Sequence, residues 1–221
     1  MRILSTNIGA PRQDIAGYRR PTGHDKRPVA AITVSDPGPR SPDAPRASGV
    51  EGDFVGDRKH HGGTHKAVYA VGREDLDLWG ERLGRQLHDG WMGENLTTQG
   101  WDLNASIVGE RWRIGEAVLQ VSVPRIPCRT FQVVAERPGW IKEFIAGGGA
   151  GTYLRVLRPG TIRPGDAVEV FDVPSHGVTI RQFFQARTSH PELAEHVLSA
   201  GGHLDEADRE KLQSRLTTIL G

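Results

Sequence analysis

The sequence predicts an α+β protein: a β-rich body over residues 1–174 and a C-terminal three-helix subdomain over residues 175–221. Three observations predict it. The 28 glycines and 14 prolines among 221 residues cut the chain into short segments, which suit strands and turns better than long helices. Apolar and β-branched runs of strand length recur as far as Phe171. After Val173-Pro174-Ser175 the pattern changes to helical spacing.

Residues 1–9 read as a first strand and Pro11 to Arg27 as a polar loop. Val29 to Val34 is β-branched and strand-like. The segment from Asp36 to Pro45 holds four prolines, which remove donors and fix φ, so it is a surface loop. Ala67 to Val71 has the character of a partly buried strand. From Arg73 to Leu87 the period changes: Leu76, Trp79, Leu83 and Leu87 share one helical face, and Glu74, Asp75 and Asp77 favour the dipole at its start. Arg111 to Ile114 and Glu116 to Val123 are strand runs broken at Gly115, as in a hairpin or bulge. Pro138 to Ile145 reads as a short helix with proline in its first turn, stopped by Gly147, Gly148 and Gly149. That glycine run lacks the Lys-Ser or Lys-Thr of a phosphate-binding loop. Tyr153 to Leu157 and Ala167 to Phe171 are strands joined by turns. The tail's helical stretches are Val178 to Arg187, His190 to Ala200, and Asp205 to Leu220, the last carrying Leu212, Leu216 and Ile219.

Composition excludes several function classes. Lys plus Arg is 28 against 27 for Asp plus Glu, a balance that gives no general drive toward a nucleic acid polymer or a membrane surface. One cysteine excludes an intrachain disulfide, and no apolar stretch reaches the roughly 20 residues needed to span a bilayer. The apolar core at the N-terminus is too short for a signal peptide, so the cytoplasm is the expected compartment.

Cys128 is that single cysteine. It follows the strand-like run and stands in Pro124-Arg125-Ile126-Pro127-Cys128-Arg129. A free cysteine often serves as a small buried hydrophobe. Here Pro124 interrupts the ladder and places the residue in a strand-end loop, where sites tend to sit. Flanking guanidinium groups favour the thiolate, which binds metals and attacks electrophiles.

A second cluster, Gly56-Asp57-Arg58-Lys59-His60-His61-Gly62-Gly63-Thr64-His65-Lys66, gathers six basic or imidazole side chains in a glycine-bounded loop. His61 and His65 have zinc-helix spacing, but two glycines lie between them and the metalloprotease glutamate is missing. An anion site, built from glycine N–H groups and the Arg, Lys and His donors, and a solvated basic loop are both open readings. The loop has no interleaved aromatics for stacking on bases. In Gly93-Glu94-Asn95-Leu96-Thr97-Thr98 a carboxylate and an amide share a tight turn, where Asn95 can simply bond its own backbone. No Gly-x-Ser-x-Gly elbow or Cys-x-x-Cys pair occurs, while cysteine hydrolase chemistry stays open.

Taken in order, four of these segments resemble the MOSC family, the domain also found at the C-terminus of molybdenum cofactor sulfurases, and within it the YiiM-like branch. They are Gly56 to Gly63 with Lys66-Ala67-Val68-Tyr69, then Gly93 to Thr97, Ile107 to Gly115, and Pro124 to Cys128. The likeness runs from about Leu4 to Phe171, and the tail is similar to the small helical domain that follows in the same branch. It departs at His65, where relatives more often carry an acid, and at Trp91-Met92. The resemblance implies a barrel-like body and a site for the molybdenum cofactor, a pterin dithiolene with a terminal phosphate. Cys128 would be the molybdenum ligand. By their chemistry, Arg58, His60, His61, Lys66, Asn95 and Arg125 would hold the pterin and phosphate, and by residue type alone Asp57, His61 or Glu94 could relay protons. The resemblance also brings a family-level association with pyridoxal phosphate. The implied activity is reduction of small N-hydroxylated compounds, including hydroxylaminopurine-like bases, with electrons from a separate reductase partner. The alternative is a non-catalytic carrier of the cofactor or of sulfur. The tail could bind a partner, form a homodimer or cover the body.

Overall fold

A computed structural model describes residues 1–13 and 21–220, with side chains to residue 218. Part of the polar loop expected over Pro11 to Arg27, and the side chain of Ile219, lie outside the described residues. The elements in chain order are β1 (Arg2–Ile8), β2 (Arg27–Val29), β3 (Ile32–Val34), β4 (Val68–Gly72), α1 (Arg73–Leu83), β5 (Leu96–Gln99), β6 (Arg111–Ile114), β7 (Ala117–Pro124), α2 (Arg129–Ala135), α3 (Trp140–Ala146), β8 (Thr152–Arg158), β9 (Gly160–Ile162), β10 (Val168–Phe171), α4 (Ile180–Arg187), α5 (Ala194–Leu198) and α6 (Glu206–Leu220).

Eight strands form one sheet in the order β10-β6-β7-β8-β4-β5-β1-β2, and β3 pairs with β9 in a small second sheet. All pairs are antiparallel except β4 with β5, which α1 connects as a βαβ unit. The large sheet curls until the start of β1 meets the start of β10, where Ile3 N–H donates to Asp166 O at 2.9 Å and Val168 N–H to Met1 O at 3.2 Å. Among the described residues a single isolated bridge, Arg2 with Ala167, joins β1 to the start of β10, so the expected barrel-like body is a rolled open sheet rather than a closed barrel.

Local differences from the sequence reading have physical causes. The run Val29 to Val34 bends at Ala30 and divides between two sheets, because Ile32–Val34 pairs with β9 while β2 pairs with β1. Helix α1 ends at Leu83 instead of Leu87, because Gly84 takes the left-handed conformation at φ 67° and its N–H caps Glu81 O. Leu87 still reaches the core after the turn. Helix α3 starts at Trp140 after Gly139 at φ 77°, leaving Pro138 outside its first turn.

The core has two parts. One lies between the sheet and the tail, joining Ile3, Val68, Leu119 and Val121 to Phe183, Val197 and Leu212 without a break. The tail helices therefore have no core of their own. Thr179 starts α4 with a reciprocal capping box to Gln182, fixing the helix that carries Phe183 and Phe184 inward. The second part is aromatic: Trp79, Trp91, Phe131, Trp140, Phe144 and Phe184, with Cys128 packed against it. Trp79 stacks on Phe144 at 4.9 Å, and Phe131 meets Phe144 edge-on at 5.0 Å. Among the described residues no helix is long and apolar enough to cross a membrane.

Candidate functional site

Strand β7 ends at Pro124 and α2 begins after Cys128, so the two prolines and two arginines form the corner between sheet and aromatic core. Cys128 stands at the N-cap of α2 in extended conformation, with φ −128° and ψ 172°. Two cavities share its side chain. An inner chamber of about 110 Å³ is walled by His24, Asp57, His61, Tyr69, Asn95 and Arg125, among others. An outer basin of about 460 Å³, in the size range of ligand sites, brings together the basic loop, the 124–129 corner and the tail. Asp57, His61, Lys66 and Cys128 face both.

The thiol is tuned. Burial pushes it up, but a hydrogen bond with His61, the charge of Arg125 and the Phe131 backbone N–H outweigh burial and bring it down to about 6. Arg125 is 6% exposed. Its Nη1 donates to Met92 O at 2.5 Å, and its guanidinium lies 4.0 Å from the centre of the Phe131 ring and 5.4 Å from that of Tyr69. Among the described residues no carboxylate stands within ion-pair distance of it. Burial would lower its pKa, and Tyr69, Tyr153 and Cys128 around it hold it above the usual value.

Asn95 spans the chamber floor. Its Nδ2 donates to Asn7 O at 3.2 Å and Asp53 Oδ2 at 3.1 Å, and its Oδ1 accepts from Tyr69 N–H at 3.3 Å. Asp53 is neutralised by Lys26 Nζ at 2.5 Å, an ion pair sealed from water. Asp57 binds His60 Nδ1 through Oδ2 at 2.9 Å. Burial raises its carboxyl, but the His60 hydrogen bond and the His60 and His61 charges bring it below the usual value. Its Oδ1 is buried without a partner among the described residues. Lys66 is brought down to about 8, chiefly by burial and then by the charge of Arg40.

The outer basin carries Arg40, Lys59, Arg129 and Lys211, none within ion-pair distance of a carboxylate among the described residues. Arg187, also in its wall, is paired with Asp208. His60 lines this basin alone. The tail therefore contributes to the walls of the site.

Two of the residues proposed from sequence are not in either wall. Arg58 turns away, with Nη1 donating to Ala44 O at 2.8 Å. Glu94 is fully buried beneath the chamber, where Oε1 accepts from Gly90 N–H at 2.5 Å and Thr97 Oγ1–H at 3.0 Å. Of the loop glycines, Gly63 does not offer its N–H to an anion. Gly63 N–H is spent on Ala47 O at 2.9 Å, and a Cβ on Gly62 would stand 2.4 Å from that same oxygen, so these glycines serve close packing of two chain segments. His65 contacts Ser122 Oγ at 3.1 Å and lies outside both cavities, apart from His61. Sequence reasoning missed His24, Tyr69 and Tyr153 as chamber residues. His24 stands in the charged run Gly23-His24-Asp25-Lys26-Arg27, whose density is its only local signal.

Comparison with known proteins places these features in context. Residues 57–169 match the MOSC domain. The Bacillus subtilis (strain 168) protein YflK is 32% identical over 184 residues, covering 81% of this chain and 77% of YflK. A Gibberella moniliformis protein named a reductase is 33% identical over 132 residues, 58% of this chain but 23% of that longer protein. The crystal structure of YiiM from Geobacillus stearothermophilus superposes with a TM-score of 0.75 at 27% identity, covering 97% of this chain and 98% of that one.

Proposed function

The chain belongs to the MOSC domain family, and from that membership we propose that it is a molybdenum cofactor-dependent reductase of small N-hydroxylated compounds. One observation carries the reading. A thiol held near pKa 6 stands where a chamber containing a buried arginine meets a basin in which Arg40, Lys59, Arg129 and Lys211 outnumber the acids Asp57, Asp205 and Asp208 and, like that arginine, have no carboxylate at ion-pair distance among the described residues.

The residues fit the cofactor's chemistry. Cys128 offers a soft thiolate, and among the described residues no group of three or more His, Cys, Asp or Glu side chains stands together to hold a bare metal ion. A metal at Cys128 would thus bring most of its ligands with it. Arg40, Lys59, Lys66, Arg129 and Lys211 would hold an anionic tail such as a phosphate. Asp57 lines both cavities, and its Oδ1, without a hydrogen-bond partner among the described residues, leaves an acceptor free at the site.

When bound, the cofactor supplies the two-electron reduction that breaks the N–O bond. The balanced change converts R–NH–OH, two electrons and two protons into R–NH2 and water. His61, at the thiol, and Asp57, with it in both walls, are placed to pass those protons. Glu94 is too deep for that task. Electrons would come from a separate reductase protein. The Gibberella reductase, in which a domain of this kind is under a quarter of the chain, supports such a division of labour.

The test is metal and pterin analysis of protein from a cofactor-producing host, beside Cys128→Ser, followed by assay with a chemical reductant and an N-hydroxylated base. Stoichiometric molybdenum lost in Cys128→Ser, with amine formed by the wild type, is expected. Equal molybdenum in both proteins would contradict the ligand role, and holo-protein without turnover would leave a carrier.

A further inference from the structure

His24 and Arg125 meet at the inner chamber with one donor too many. Asp25 N–H donates to His24 Nδ1 at 3.0 Å, while His24 Nε2 stands 3.3 Å from Arg125 Nη2. A guanidinium nitrogen carries only donor hydrogens, and a neutral imidazole has one acceptor nitrogen and one N–H. Whichever nitrogen bears the proton, one of the two contacts sets donor against donor. The shorter backbone contact takes Nδ1 as its acceptor and leaves the proton on Nε2, facing Arg125. Burial, then the charges of Arg125, Lys26 and His61, hold the ring well below the usual imidazole range, so it is neutral near pH 7.

The two groups are held in this opposition. His24 stacks on Phe131 at 5.6 Å, and the same ring supports the Arg125 guanidinium. Behind the imidazole, a Cβ on Gly93 would come within 3.4 Å of His24 Cδ2, so the backbone there closes against the ring. Arg125 is a 6%-exposed cation with no acidic partner among the described residues, and both residues line the chamber.

We infer that His24 Nε2–H and Arg125 Nη2–H form a two-donor clamp for one anionic oxygen of a ligand, such as an oxyanion, in the inner chamber. One acceptor between the two nitrogens resolves the opposed donors and supplies the arginine's missing counter-charge. Among the described residues no carboxylate contacts this pair, and the two that line the chamber, Asp53 and Asp57, are held by Lys26 and His60, so the clamp favours negative charge. The clamp is built from this chain's own residues and stands with or without the cofactor.

It is tested on cofactor-free full-length protein with inorganic phosphate as the probe, so its failure is distinct from failure of the reductase reading. In spectra of protein carrying ¹⁵N-labelled histidine, His24 is expected as the neutral Nε2–H tautomer, shifting on phosphate addition. By calorimetry, His24→Phe, which keeps a ring on Phe131 but no donor, should weaken phosphate about tenfold or more. His24→Gln, which keeps a donor, should retain most of the affinity. An Nδ1–H tautomer at His24, no phosphate binding by the wild type at millimolar concentration, unchanged affinity in His24→Phe, or equal loss in His24→Gln would each overturn the clamp.

Discussion

At the residue scale, the Cys128 thiol should react at a pH where an ordinary cysteine is still protonated. Its folded pKa of about 6 reflects a His61 hydrogen bond and the Arg125 charge outweighing burial. Alkylation follows the thiolate fraction, so the rate with iodoacetamide should rise through a midpoint near pH 6 in cofactor-free protein. Replacing His61 by alanine removes a lowering influence, and the midpoint should move up. A wild-type midpoint above pH 8 would refute this assignment. The site was partly legible in the sequence: Cys128, Asp57, His61, Lys66, Asn95 and Arg125 do converge on the chamber. They fall in dense local motifs, which a linear reading can see. His24, Tyr69 and Tyr153 arrive from a loop before β2 and from the neighbouring strands β4 and β8, and only pairing such as Tyr69 with Tyr153 brings them together. Arg58 and Glu94 stand in the same motifs yet point elsewhere, since motif membership does not fix side-chain direction.

At the scale of elements, the turn between α1 and β5 depends on a buried carboxyl. Glu94 Oε1 takes both the Gly90 N–H and the Thr97 hydroxyl, while Oε2 is buried without a partner among the described residues. Burial raises this acid from 4.5 to about 7, against the hydrogen bonds that favour its charged form. A carboxyl raised in this way binds its proton more tightly folded than unfolded. Its contribution is complete below about pH 4.5 and is lost as the pH climbs to about 7, a swing on the order of 3 kcal/mol. Glu94→Gln keeps the accepting oxygen and cannot ionise, so the variant should gain stability over the wild type at pH 8 relative to pH 5. Urea unfolding of both proteins at the two pH values measures it, and an unchanged difference would remove Glu94 as the cause. Most elements were readable from period and punctuation, as the β6–β7 hairpin around Gly115 illustrates. The exceptions have tertiary origins: α2 follows a proline-rich corner and is held by Phe131 in the aromatic core, β9 exists because β3 pairs with it, and β5, in the segment read as a turn, is a strand because β1 and β4 pair with it. None of these signals is local.

For the whole molecule, the decisive arrangement is that body and tail share one core and one site. Phe183, Val197 and Leu212 pack into the same cluster as the β4 and β7 side chains, while Arg187 and Lys211 line the outer basin. Fully burying such apolar side chains contributes about 1.5–3 kcal/mol each, so the tail's share is comparable with the roughly 5–15 kcal/mol that holds a whole domain together. Two probes separate a shared core from a docked appendage. All five tryptophans, at 79, 91, 101, 112 and 140, precede the tail, so fluorescence reports the body alone. Far-UV circular dichroism also reports the tail helices α4, α5 and α6. A common core predicts coincident urea transitions by both signals, whereas an independent tail predicts an earlier helical loss. A chain ending at Pro174 should expose the apolar face that α4 covers on β7, fail to unfold cooperatively, and lose the low-pH alkylation of Cys128. If that shortened chain unfolded cooperatively with the same Cys128 midpoint, the tail would be dispensable to both core and site.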